Sequence, residues 1–282
     1  MKKRVIGYIF GDKNLGKDEK VFIKLAKKKN ISLIFFNIYK DFNELDIRKK
    51  IKKCDIIFNN SAEPFAVEII KTIEEMGKKV IDSSKSHFYI QDKWMFYLEC
   101  RKKNIPTPRT ILLSESFNII KKQLNEFNTW PVVLKRTDGS CGENIEKAEN
   151  VNEAIEIIKR FYGNSEDRYP IIAQEFILSD SYRITLIDNK IIQTAEKVGS
   201  NWKKTGVNSK HNKNFKVDNG LKKIIDQVMK FVDIKICGID FINNNNKWLV
   251  LEINSEPAFD FFPEKREKVI NQVINFLVKE MK

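Results

Sequence analysis

Three consecutive stretches decide the reading of this chain: Ile236-Cys237-Gly238-Ile239-Asp240-Phe241-Ile242, the run Asn243-Asn244-Asn245-Asn246, and Lys247-Trp248-Leu249-Val250-Leu251-Glu252-Ile253-Asn254. Two apolar runs around a turn-forming asparagine tract predict a hairpin, with strands over 236–242 and 247–253. Strand residues two apart share a face, so Glu252 and Asn254 point the same way. Asp240 closes the first run and falls roughly opposite Glu252. Two carboxylates and an amide oxygen on one face repel one another unless a hard cation joins them, and an oxygen-only set suits Mg2+ or Mn2+. Solvated acids gathered by chance are the alternative.

Moving outward, residues 5–81 alternate between strand and helix signals. Strands are expected over 5–10, 31–38, 55–58 and 79–81, and helices over 19–29, 45–53 and 65–76. Apolar strands separated by amphipathic helices imply a parallel sheet covered on both faces. The pattern changes after Asp92. A helix over 93–103 stops at Asn104-Ile105-Pro106-Thr107-Pro108, where two prolines forbid continuation. Strands follow over 110–113, 131–135, 171–177, 182–188 and 190–198, with helices over 117–127, 152–162, 221–232 and 265–281. The Lys- and Asn-rich stretch 201–219 reads as a mobile loop.

The chain has 282 residues, 42% hydrophobic and 32% charged, a globular balance with ample length to bury a core. No uncharged apolar run approaches the roughly 18 residues of a membrane span. The basic start Lys2-Lys3-Arg4 before 5–10 resembles a signal peptide, but its apolar stretch is short and ends at Gly11-Asp12-Lys13 without a cleavage site. A buried first strand and a cytoplasmic protein are expected. Lys and Arg total 51 against 38 Asp and Glu, a net +13 that invites a polyanion. Only nine of the 51 are Arg, however, and base or bidentate phosphate recognition favours Arg. A solvated lysine surface is preferred to a nucleic-acid site. Cys54, Cys100, Cys141 and Cys237 are scattered and only His87 and His211 accompany them, which argues against zinc and for reduced thiols.

Three further segments bear on phosphate. Gly11 to Asp18 nearly matches G-x-x-x-x-G-K-[ST], but Asp18 stands where the metal-binding hydroxyl belongs, so a plain strand-to-helix connection is expected. Lys93 falls at the first position of a helix after Asp92, where the helix dipole disfavours a cation unless an anion docks there; a surface lysine is the bland alternative. Lys135 closes the apolar run Pro131-Val132-Val133-Leu134, where burial without a partner is costly. The turn Thr137-Asp138-Gly139-Ser140-Cys141-Gly142 behind it would let backbone N–H groups approach phosphates, although an ordinary hairpin also explains its glycines.

In order along the chain, Lys93, strand–Lys135–glycine turn, Gln174-Glu175-Phe176-Ile177, Arg183, Gly238-Ile239-Asp240 and Glu252-Ile253-Asn254 resemble an ATP-grasp ligase. The segment 92–108 is similar to the RimK-like branch, which adds amino acids to carboxylates. The resemblance implies an N-terminal parallel-sheet pre-ATP-grasp domain (1–90), then a two-lobed ATP-grasp fold with a central lobe (91–172) and a C-terminal lobe (173–282). It implies that Lys93 and Lys135 hold ATP phosphates, under a loop of Asp138, Gly139, Ser140 and Gly142. Gln174, Glu175, Phe176 and Ile177 would form the adenine linker, with Asp180 a candidate ribose contact. Arg183 and Lys203 would stabilise the transferring phosphoryl group, and Asp240, Glu252 and Asn254 would bind Mg2+ (or Mn2+).

The expected activity is an ATP-dependent carboxylate–amine ligase, joining a small-molecule or peptide carboxylate to an amino-acid amine such as glutamate, with homo-oligomers allowed. Ser181, Lys197 and Thr205 depart from the family pattern. They keep open an inactive nucleotide-binding regulator, and the charge keeps open a nucleic-acid binder.

Overall fold

A computed structural model describes residues 3–40, 43–139, 143–163, 168–199, 202 and 211–281. The N-terminal unit is a four-stranded parallel sheet in the order β2-β1-β3-β4, from β1 (Arg4–Phe10), β2 (Ile31–Asn37), β3 (Ile56–Asn60) and β4 (Val80–Ile81). Helices α1 (Lys17–Lys28), α2 (Glu44–Lys52) and α3 (Pro64–Glu75) connect these strands. All five residues of β3 are buried, as a strand covered on both faces requires. Two helices follow, α4 (Ser84–Gln91) and α5 (Lys93–Lys102). Asp92 caps α5, its Oδ1 accepting from the backbone N–H of Trp94 at 2.8 Å and Met95 at 3.1 Å.

The central sheet is antiparallel in the order β5-β8-β6-β7: β5 (Thr110–Leu112), β8 (Ile171–Glu175), β6 (Val132–Arg136) and β7 (Ile145–Ala148). Its core is closed by α6 (Phe117–Phe127) and α7 (Val151–Tyr162) around Leu124, Leu134, Ile158 and Ile171. The C-terminal sheet runs β11-β10-β9-β12-β13, all antiparallel. It comprises β9 (Ser181–Ile187), β10 (Lys190–Val198), β11 (His211–Lys213), β12 (Ile236–Asn244) and β13 (Lys247–Asn254). Helix α8 (Asn219–Val232) packs on one face of this sheet together with Phe96 and Cys100 of α5. The last helix, α9 (Arg266–Glu280), packs in a core shared with the first sheet, where Val273 and Ile274 join Tyr8, Phe22, Ile187 and Ile236.

The elements match their periodicity closely, with two differences. Helix α4 is absent from the sequence reading because Ser84-Lys85-Ser86-His87-Phe88-Tyr89-Ile90-Gln91 has no clean apolar stripe. Within the supposed loop 201–219, His211–Lys213 forms edge strand β11. Three polar residues are ordered there by pairing to β10, a choice that composition cannot announce. Residues 203–210 lie outside the described residues. Among the described residues no helix is long and apolar enough to cross a membrane.

Candidate active site

Lys93 begins α5, its backbone N–H donating to Thr137 O at 2.9 Å. Its Nζ donates to Gly139 O at 2.8 Å and Asp138 O at 3.4 Å, which holds the glycine turn against the helix start. Gly139 has φ +94, a left-handed conformation that suits glycine. Lys135 on β6 is buried, its Nζ donating to Gln174 Oε1 at 2.7 Å on the neighbouring β8. Gln174 Nε2 donates in turn to Thr110 Oγ1 at 2.9 Å, which fixes the amide with its oxygen toward the ammonium. Burial pushes the Lys135 ammonium down to about 8; Glu252 opposes this and Lys93 adds to it. The two lysines and Gln174 line one cleft with Tyr97, Thr107 and Leu251, between the central and C-terminal sheets.

The hairpin borders this cleft through Val250 and Leu251. Register places Arg183, Asp240 and Glu252 in one row across β9, β12 and β13. Asp240 is buried, with Arg183 Nε at 2.7 Å from Oδ1 and Nη2 at 2.6 Å from Oδ2, a two-pronged pair. Lys197 Nζ reaches Oδ1 at 3.0 Å, and Asn254 Nδ2 donates to Oδ2 at 3.3 Å. Burial alone would raise the Asp240 carboxyl, but Arg183 and Lys197 outweigh it and hold the group well below the ordinary carboxylate range. The repulsion expected between the carboxylates is therefore met at Asp240 by two side-chain cations as well as by any metal.

Lys197, taken from sequence as a departure, is buried on the face of Arg183 and delivers a point charge where a second fork is not needed. Its local signal is its phase, two residues from the buried Ala195 and four from the buried Gln193 on β10. Gly238 was quoted only as part of a motif, yet Arg183 lies across it. A Cβ there would overlap Arg183 Nη1 and stand 2.9 Å from its Cδ.

The remaining expected residues scatter around this cleft. Asp138 is tied to Arg136, whose Nε and Nη2 each stand 3.0 Å from its carboxylate oxygens. Glu175 closes β8, its Oε1 accepting from Arg109 N–H at 2.8 Å. Phe176 follows with its ring 6.0 Å from Trp202, and Ile177 is half-buried. Asp180 directly precedes β9, and Ser179 Oγ donates to its carbonyl at 2.7 Å. Ser140, Gly142 and Lys203 lie outside the described residues. In the sequence decoy, Gly16 caps α1 and Asp18 stands 2.8 Å from Arg266 Nε, so this connection is held by an ion pair.

Among the described residues no three His, Cys, Asp or Glu side chains cluster as a metal group, so a cation on this wall depends on Asn254 as well. The donor set fits one. Asn254 spends its Nδ2 on Asp240, which leaves its carbonyl oxygen available as an acceptor, and all three side chains offer hard oxygen.

Residues 90–277 match the model of the RimK-like ATP-grasp domain. A probable alpha-L-glutamate ligase of Haemophilus influenzae is 23% identical over 209 residues, covering 72% of this chain and 67% of the relative. The D-alanine–D-alanine ligase of Bacillus anthracis, solved with ATP, superposes with a TM-score of 0.75 at 15% identity, over 99% of this chain and 97% of that one. The ATP-grasp ligase PsnB, solved with a minimal precursor, Mg and ADP, gives 0.69 at 14% identity, over 96% and 97%. Two antiparallel sheets facing across a lysine-walled cleft, behind a parallel-sheet unit, constitute an ATP-grasp fold. The chain belongs to the RimK-like ATP-grasp family, whose members are carboxylate–amine ligases.

Proposed function

We propose that the chain is an ADP-forming ligase that joins a carboxylate to an amine through an acyl phosphate. The observation that carries this is the convergence of Lys93, Lys135 and Gln174 on a cleft bordered by Val250 and Leu251 of the hairpin, whose Asp240 and Glu252 lie near enough to act on the Lys135 charge. Lys93 and Lys135 neutralise the polyphosphate from two sides, with Asp138, Gly139, Ser140 and Gly142 as the turn over it. Gln174 to Ile177 form the edge against the base, and Asp180 is the ribose candidate. Asp240, Glu252 and Asn254 would hold Mg2+, which when bound screens charge between the β- and γ-phosphates.

The substrate carboxylate oxygen attacks the γ-phosphorus and the bond to the β-bridging oxygen breaks, releasing ADP. The amine then attacks the acyl carbon, phosphate leaves with the C–O electrons, and the amine loses its proton. Arg183 and Lys203 are placed by this reading to stabilise the charge that moves in the first step. The labour divides as a leading unit at 1–90, a phosphate-turn lobe at 91–172 and a metal lobe at 173–282. Glutamate is a candidate substrate through the name of the Haemophilus relative, and the bound precursor of PsnB makes peptides worth testing.

An ADP-release screen with ATP and Mg2+ over paired amino acids, carboxylates and peptides tests the proposal. ADP formed only when both a carboxylate and an amine are present supports it. ATP binding without ADP formation across the panel would favour the regulator.

A further inference from the structure

A second group of acids stands beyond the nucleotide cleft, where the C-terminal edge of the first sheet meets the segment after β13. Ala62 N–H donates to Glu256 Oε2 at 3.2 Å, which joins the two parts. Asp12, Glu19 and Glu63 all lie close enough to Glu256 to act on its charge. A Cβ on Gly16 would stand 2.8 Å from Glu19 Oε2 and 3.8 Å from Asp12 Oδ2, and one on Gly11 would stand 3.2 Å from Glu63 Cγ. Asp18 and Asp260 flank the group but share Arg266, at 2.8 and 3.1 Å. Among the described residues no cation pairs with Asp12, Glu19, Glu63 or Glu256, and Lys13 and Lys17, exposed on the same connection, pair with none of them. In a chain of net charge +13 this is an unusual concentration of uncompensated negative charge.

An independent observation points to a ligand. Asn60, the last residue of β3, is 6% exposed and its Oδ1 has no hydrogen-bond partner. Register pairs Phe10 with Asn60 and Tyr8 with Phe58, so Asn60 lies on the sheet face of Tyr8. The Tyr8 hydroxyl donates to Glu19 Oε1 at 3.1 Å on that face, so the Asn60 side chain shares the side of the sheet where Glu19 sits. A buried acceptor left unmatched is costly and asks for a donor. Four carboxylates gather here beside the Ser61 hydroxyl, with the Asn60 amide on the same sheet face, at the strand ends where open α/β sheets place their ligands.

We propose that this acidic group binds the positively charged nitrogen of one of the two substrates, an ammonium or guanidinium remote from the reacting group, as in a basic amino acid or a diamine. Glu256 follows Asn254 by two residues, so a substrate held there extends toward the cleft wall that carries Glu252. The inference rests on the ligase reading and narrows its substrate class.

The test is ADP release by the full chain with ATP and Mg2+ over substrate pairs drawn from L-lysine, L-arginine, 1,4-diaminobutane, L-alanine, L-glutamate and short peptides. Productive pairs should contain a cationic side chain or a diamine. The Asp12→Asn/Glu63→Gln variant, altered at two exposed positions, should raise the KM for that member about tenfold or more while kcat changes little, with Glu256→Gln as a second variant should the first not fold. A productive pair lacking such a cation, or an unchanged KM in the folded variant, overturns the proposal. If no pair releases ADP, the ligase reading fails separately, and titration of the nucleotide-free protein with L-arginine and 1,4-diaminobutane decides the acidic site. Binding that weakens about tenfold in the variant and falls with salt upholds it. No binding, or equal binding by the variant, overturns it.

Discussion

Lys135 meets its buried charge with the Gln174 amide and the fields of Glu252 and Asp240, and its ammonium is brought down to about 8. The free protein at pH 8.5 therefore holds this site largely deprotonated, and a polyphosphate would restore the proton. ATP binding at pH 8.5 should take up a proton, seen as a dependence of calorimetric enthalpy on buffer ionisation heat, and the uptake should vanish in Lys135→Ala. The same substitution should weaken ATP about tenfold or more, since a charge-assisted contact contributes roughly 1.5–3 kcal/mol. Glu252 belongs to a different test. Glu252→Gln keeps size and hydrogen bonding but removes one charge from the proposed cation wall. Its ADP release should fall by orders of magnitude with the thermal midpoint unchanged or raised, and wild-type turnover in this variant would refute the metal assignment.

Strand β12 does two jobs at once: its Gly238 leaves room for the Arg183 side chain to cross, and its Asp240 receives the guanidinium. Gly238→Ala forces Arg183 off that path at a packing cost of about 1–3 kcal/mol. Turnover should drop while ATP affinity, set mainly across the cleft, stays near wild type; comparing ADP release with nucleotide titration checks this. The Asp240–Glu252 register also explains Leu251. The pairing skips from Glu252 to Val250, and the residue left over, Leu251, lines the cleft. Strand β11 shows the reverse dependence, since polar residues become a strand only because β10 offers an open edge.

Across the whole molecule the first sheet and the hairpin are joined by Asp82. Its buried carboxylate accepts from Lys235 N–H at 2.6 Å and Ile236 N–H at 3.0 Å, at the start of β12. Asp82→Ala orphans both donors and should lower the unfolding midpoint, each lost partner costing roughly 1–3 kcal/mol. Burial pushes this carboxyl up to about 7, above its unfolded value. The stabilising contribution of Asp82 is thus full in acid and lost as pH rises through 7, so the gap between wild type and Asp82→Ala should be wider at pH 5 than at pH 8. Most strands and helices were legible because their apolar periods were clean, and Lys135 was legible because a charge ended an apolar strand. The Arg183–Asp240–Lys197 network, the Tyr8–Glu19 bond, and the Asp82 junction were not. Each depends on residues from separate segments, and no local pattern records which carboxylate meets a cation and which meets a backbone N–H.

The placement of α5 has a consequence for how the cleft works. Phe96 and Cys100 anchor this helix in the core beneath β9 and β12, while Lys93 at its start is hydrogen-bonded to Thr137, Asp138 and Gly139 behind β6, so α5 ties the C-terminal sheet to the central one. The first sheet is fastened to the hairpin by Asp82 and by the core it shares with α9, and the central sheet is joined to these parts at Lys93. The charge of Lys93 opposes that of Lys135. On the ligase reading a polyanion between them would reverse the sign of that force, and the nucleotide would draw together the two walls that hold it.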